Sequence, residues 1–257
     1  MQIWKAHYQD SFHDTIIDIL NTEQDSRTNP LSFTLDGVKF EGRSLDYFSL
    51  ADDKQYPEAK DKFCILKSGG YSIGNHEVPY FYELQGYALD LEIPLKVIRK
   101  QDNSEIQGML HIAFTYTEHD MQKSQARIFC DDIQVYHDDM HVSDFTLCID
   151  GKYYNSTQRA SELEFEFPLQ DICQQIAQEY YLKCCFTCQY SDYSPYGNDT
   201  YGCMLCYCRH KEDCLKVNSK DDFFEYLEGK DFDVRQETYL CSEYAPRNQA
   251  EGYRGFV

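Results

Sequence analysis

Apolar and polar residues alternate with a period of two over much of the first two-thirds of the chain, as in strands with one face buried and one exposed. Leu31-Ser32-Phe33-Thr34-Leu35 alternates, Asp36-Gly37 follows, and Val38-Lys39-Phe40-Glu41-Gly42 resumes the alternation. Asp-Gly between two such runs predicts a two-residue hairpin, because both turn positions require positive φ. Residues 144–149, Asp150-Gly151 and residues 152–155 predict a second hairpin. Residues 88–98, 108–116 and 127–136 have strand composition, and residues 161–167 alternate most regularly of all. Residues 15–20 suit helix or strand by pattern and are assigned to a strand.

The period changes at Pro168. Leu169, Ile172, Cys173, Ile176, Ala177 and Tyr180 fall at helical spacing, behind a proline suited to a first helical turn. A second helix is signalled by Ser219 as N-cap, Asp221 and Asp222 in the first turn, an apolar set from Phe223 to Leu227, and Gly229 as a stop. The expected fold class is therefore α+β. A strand-rich antiparallel, sandwich-like and acidic region covers 1–168, and a Cys-rich α+β lobe covers 169–257, with a boundary soft enough for a shared core.

The lobe also holds the strongest chemical signal. Cys185-Phe186-Thr187-Cys188 is a CxxC knuckle, the chelating pair used repeatedly by tetrahedral Zn²⁺ sites. Two further thiolates would close a Cys₄ cage. By spacing, Cys203 and Cys206 form a ribbon-like second pair; Cys206 with Cys241 is the rival choice. The bland alternative is that most of these thiols are small buried hydrophobes. His137 and His141 stand four apart but lie in a polar stretch between strand-like runs, so a solvated loop is the better assignment. No phosphate-binding glycine loop or nucleophile elbow is present in the sequence, and no catalytic residue is assigned. Redox chemistry at the knuckle would need the pair to open a helix, whereas here a helix precedes it.

Charge decides between partner classes. The chain has 44 acidic and 24 basic residues and a net charge of −20, with 29 acidic and 15 basic of these in residues 1–168. Such a field repels a phosphate backbone and attracts a basic protein. No run reaches the ~18 apolar residues of a membrane helix. The first residues lack the basic-then-apolar pattern of a secretory signal, so a cytoplasmic location and reduced thiols are expected. The expected function is that of a non-enzymatic binding protein, an acidic neutraliser of a basic partner such as a bacterial toxin, in the manner of an immunity protein. A metal- or thiol-dependent hydrolase is the alternative. A zinc-ribbon nucleic-acid binder ranks last because of the charge.

Three C-terminal stretches carry a family resemblance. The run from Cys185 through Cys188 to Ser191-Asp192-Tyr193-Ser194-Pro195-Tyr196-Gly197 resembles the signature of an uncharacterised bacterial family, a domain of unknown function. So do Gln236-Glu237-Thr238-Tyr239-Leu240-Cys241 and the closing Gly252-Tyr253-Arg254-Gly255. The family pattern has a single cysteine before an aromatic, met here by Cys206-Tyr207, and glycine where this chain has Cys203. The resemblance thus implies Cys185, Cys188, Cys206 and Cys241 as the ligands of a structural zinc. Ser242 departs from the proline usual there. The resemblance covers 180–257, extends only loosely to the strand-rich region, and implies no established activity. Within it, residues 191–197 suit a zinc-supported loop, with a recognition surface of Asp192, Tyr193, Tyr196 and Arg254 as the functional alternative.

Overall fold

A computed structural model of the chain describes residues 1–69, 71–73, 76–117, 127–128, 134–135, 140–157, 165–195 and 201–247. The period-two segments assemble into one antiparallel sheet. Its path runs Lys152–Asn155, Met140–Ile149, Ser104–Tyr116, Tyr87–Arg99, Gln2–Gln9, Asp14–Asn21, Leu31–Leu35, Val38–Ser44, Tyr47–Leu50, Phe81–Leu84 and Ile65–Ser68. A twelfth strand, Tyr180–Leu182, pairs with the far end of Tyr87–Arg99.

Both hairpins form where the sequence places them. Asp36 and Gly37 have φ of 48° and 79°, and Asp150 and Gly151 have 50° and 78°, the left-handed pair that a two-residue turn needs. The first strand of the chain lies mid-sheet because it pairs with Asp14–Asn21 on one side and with Tyr87–Arg99 on the other.

The sandwich-like α+β expectation is corrected by this topology. Strand content is 46% and helix content 16%, and the sheet is a curled antiparallel half-barrel, so the class is mostly β. Hairpins set several neighbours side by side, while Gln2–Gln9 with Tyr87–Arg99 and Tyr47–Leu50 with Phe81–Leu84 pair across long stretches of chain, and curling of the twisted sheet then covers its concave face. That face is aromatic. Tyr8 stacks on Tyr87 at 6.0 Å between centroids, Phe33 meets Phe40 at 5.1 Å and Phe48 at 5.0 Å, and Tyr87 meets Tyr116 edge-on at 5.4 Å.

Three local expectations also change. Residues 127–136 do not form one strand: Arg127–Ile128 and Gln134–Val135 pair with each other. Residues 161–164 lie outside the described residues, and Glu166 and Phe167 already belong to the helix Glu166–Ile176. That helix ends before Tyr180, which joins the large sheet instead. The second helix, Lys220–Tyr226, starts as expected, with the Ser219 hydroxyl accepting from the Asp222 amide at 3.1 Å. Among the described residues no helix is long and apolar enough to cross a membrane.

The main core includes residues from both sides of Pro168. Phe165 packs on Phe145 at 5.3 Å and on Tyr201 at 4.6 Å, and Tyr201 reaches Trp4 at 6.2 Å. Leu169, Ile172 and Ile176 bury one face of the helix in the same core. A smaller cluster of Tyr207, Val217, Phe223 and Leu227 supports the outer end of the lobe.

Candidate metal centre and adjoining cavity

The knuckle is a tight turn because Cys185–Thr187 is a 3₁₀ segment and the Cys188 amide donates to the Cys185 carbonyl at 3.1 Å. Its surroundings are a three-stranded sheet of Ser191–Asp192, Met204–Cys206 and Asp233–Arg235, which sets Cys206 directly across from Ser191 and Asp233. The segment after this sheet wraps the knuckle. The Cys185 amide donates to the Tyr239 carbonyl at 2.6 Å and the Phe186 amide to the Glu237 carbonyl at 3.0 Å. Further on, Gln189 donates to the Ala245 carbonyl and Arg247 to the Thr187 carbonyl, each at 2.9 Å. These bonds carry Cys241 round to the cysteine cluster.

Cys185, Cys188 and Cys206 are buried, and Cys241 is partly exposed. The Cys185 thiol hydrogen-bonds to Cys206; this pushes the Cys185 proton affinity up and lowers that of Cys206 to about 6, helped by donors from Cys208. Cys206 is thereby prepared as a thiolate, the form that binds metal. Burial and the charges of Cys206 and Cys188 push Cys241 up. Thiolates gathered at one place repel one another, and a divalent cation between them would relieve that repulsion.

Among the described residues, no three His, Cys, Asp or Glu side chains already stand at cage spacing. On donor chemistry the four cysteines fit zinc. Cys208, influenced by both Cys206 and Cys241, is a fifth thiol at the cluster and is pushed up to about 11, chiefly by burial. Cys203 lies elsewhere, beside Tyr193 and Glu237. His137 is outside the described residues, and His141 sits in the strand Met140–Ile149.

Residues quoted only as part of a signature turn out to fasten the lobe to the sheet. Gln236 and Asn21 are both buried and exchange amide hydrogen bonds, Asn21 Nδ2 to Gln236 Oε1 at 2.7 Å and Gln236 Nε2 to Asn21 Oδ1 at 3.2 Å. The Tyr201 hydroxyl bonds to Gln236 at 3.2 Å and to Thr238 at 2.5 Å. Glu237 is fully buried and accepts from the Gly202 amide at 2.7 Å and the Tyr193 hydroxyl at 3.2 Å. Burial raises its carboxyl from 4.5 to about 7, against the lowering effect of the Gly202 amide and the Tyr193 hydroxyl. Gly202 has φ of 94°, and a Cβ there would stand 3.0 Å from the Arg43 carbonyl, so the approach requires glycine.

Beside the knuckle is a cavity of about 500 Å³ between the helix Glu166–Ile176, the strand Tyr180–Leu182 and residues 244–247. Arg247 is anchored in its wall, donating to the Cys188 carbonyl at 3.4 Å, to the Ser191 carbonyl and to Asp192 at 3.2 Å. Burial pushes the Asp192 carboxyl up to about 7 although Arg247 draws it down. Tyr193 is buried and Asp192 largely so, which removes both from an exposed recognition surface; Tyr196 and Arg254 lie outside the described residues. Sequence reasoning missed Glu166, Glu237 and Arg247. No spacing separates a buried acid or guanidinium from an exposed one.

Fold and site together define a curled antiparallel β protein with a cysteine-rich lobe docked on its sheet. The chain matches a family of unknown function, DUF6304, over residues 2–191 and belongs to that family. The match spans the sheet and reaches through the knuckle; the resemblance drawn from 180–257 overlaps it over 180–191. No curated protein and no solved structure matches the chain.

Proposed function

We propose that Cys185, Cys188, Cys206 and Cys241 hold one structural Zn²⁺, and that the protein is a non-enzymatic binding module for a basic protein. The observation that supports the zinc is convergence. Three chain segments bring four thiols to one cluster, one of them favoured as thiolate. The finer signature, with its loop over 191–197 and closing residues 252–255, is part of this proposal. A Cys₄ cage is coordinatively saturated, so it would tie the knuckle to the wrapping segment and activate no water.

The binding role draws on the charge. On the solvent face of the central strands, Asp14, Asp18, Asp90, Glu92 and Asp144 are exposed, with Lys5 opposite Asp18, His7 bonded to Asp14, and His111 between Asp90 and Asp144. A cationic protein surface complements that face. Neutralisation of a basic bacterial toxin, with a cytoplasmic immunity-type role, is the most concrete form of this reading.

The test has two arms. Elemental analysis after metal-free purification should give about one zinc per chain; well under half an equivalent sinks the metal assignment. Association with the product of the neighbouring gene should slow steeply as salt rises, because the Debye length falls from ~10 Å at 0.1 M to ~3 Å at 1 M. A salt-independent on-rate, or tight duplex-DNA binding at low salt, defeats the binding role.

A further inference from the structure

We infer that the cavity beside the knuckle is a binding site for a neutral aromatic small molecule whose ring system bears an amide-like hydrogen-bonding edge. The inference goes beyond the zinc and the basic protein partner and depends on neither. At about 500 Å³ the cavity lies within the size range of ligand pockets, which are mostly apolar with a few placed polar groups. Five rings line it, those of Tyr180, Tyr181, Phe186, Tyr193 and Tyr244. Three of the four phenol hydroxyls are engaged with the fold: Tyr180 with Arg99, Tyr193 with Glu237 at 3.2 Å and Tyr244 with the Leu182 carbonyl at 3.2 Å. What these residues offer a ligand is therefore ring surface, and aromatic pairs gain beyond the area they bury.

Neutrality follows from the charges in the wall. Two acids and two bases line the cavity, Glu166 and Asp192 against Lys100 and Arg247, so their formal charges cancel. Each is already committed to the fold. Arg247 donates to the Cys188 and Ser191 carbonyls and pairs with Asp192 at 3.2 Å. Glu166 is buried, accepts from Gln170 Nε2 at 3.0 Å and lies in the field of Arg247. Lys100 donates to the Ala177 carbonyl at 2.5 Å. An ion of either sign would lose its water without gaining an uncommitted counter-charge. Gln174 differs. The helix Glu166–Ile176 carries it at an exposed position of the cavity wall, and among the described residues nothing holds its side-chain amide. An amide offers a donor and an acceptor without charge, which a lactam or similar edge on the ligand would match.

Calorimetric titration of the full chain with carbostyril, a neutral bicyclic lactam, tests this directly. Saturable binding of one equivalent is expected. The cationic N-methylquinolinium and the anionic quinaldate should each bind roughly tenfold or more weakly, the cost of desolvating an unpaired charge. The fully saturated lactam keeps the polar edge without the aromatic face and should bind about twofold to tenfold more weakly. Tyr181→Leu, at a partly exposed position, and Gln174→Ala, at an exposed one, should each weaken carbostyril by about twofold to tenfold with the melting temperature held. The two positions lie on different elements, so a folding defect in one variant leaves the other to decide. The assignment is overturned by the absence of saturable carbostyril binding at millimolar concentration, by an ion or the saturated lactam that binds as well as carbostyril, or by unchanged affinity in either folded variant. Tighter binding of a blocked Gly-Tyr-Gly peptide also overturns it, because the cavity would then be a socket for another protein's side chain.

Discussion

Replacing Gln236 by leucine tests whether the lobe is fastened to the sheet by the Asn21–Gln236 amide pair. Leucine keeps the bulk of the buried side chain and removes its donor and acceptor. Asn21 Oδ1 retains the Glu23 amide at 2.9 Å, and the Tyr201 hydroxyl retains Thr238 at 2.5 Å. Asn21 Nδ2 loses the partner it holds at 2.7 Å and stays at a residue only 2% exposed. One orphaned buried donor costs about 1–3 kcal/mol, and the lost net hydrogen bond takes the expected loss to about 2–3 kcal/mol. For a chain of this size that corresponds to a fall in Tm of about 4–12 °C. Asn21→Leu should cost a similar amount. The double variant should recover about 1–2 kcal/mol of the summed losses, because it removes both partners together. Urea unfolding gives the free energies, and the single tryptophan, Trp4, reports locally because its ring lies 6.2 Å from that of Tyr201. Additivity of the two single variants within about 0.5 kcal/mol, or a loss below that for Gln236→Leu, would refute the reasoning.

Serine at Cys188 or Cys241 should abolish zinc retention and lower the melting temperature, whereas Cys203→Ser should keep the metal; full zinc in Cys241→Ser, read by elemental analysis, would exclude that ligand. Glu237 has its carboxyl raised from 4.5 to about 7, so the folded state holds the proton more tightly than the unfolded one. Its contribution is complete below about pH 4.5, falls by roughly 3 kcal/mol as pH rises to about 7, and is then flat. Glu237→Gln should flatten the stability profile between pH 5 and 7.5, and an unchanged slope in urea midpoints would count against a buried proton there. Gly202→Ala should cost about 1–3 kcal/mol from its φ of 94° and the Arg43 carbonyl, measurable as a lowered urea midpoint; a neutral effect would mean the backbone relaxes freely.

By itself the sequence determined what is local. The Asp36-Gly37 and Asp150-Gly151 hairpins, the alternating burial of Tyr87–Arg99 and the Ser219 cap each depend on a few adjacent residues and a fixed period, so they are legible without the fold. The knuckle is legible for the same reason. Only the tertiary structure decided how the strands were shared out, because period two is the same in a sandwich and in one curled sheet. It also carried the strand Tyr180–Leu182 back to the sheet from beyond the helix, a pairing that no local pattern encodes. The same holds for Gln236, Glu237, Glu166 and Arg247. Their burial arises from segments as far apart as Asn21 and Gln236, and burial is what turns an ordinary polar residue into a fastening or a site.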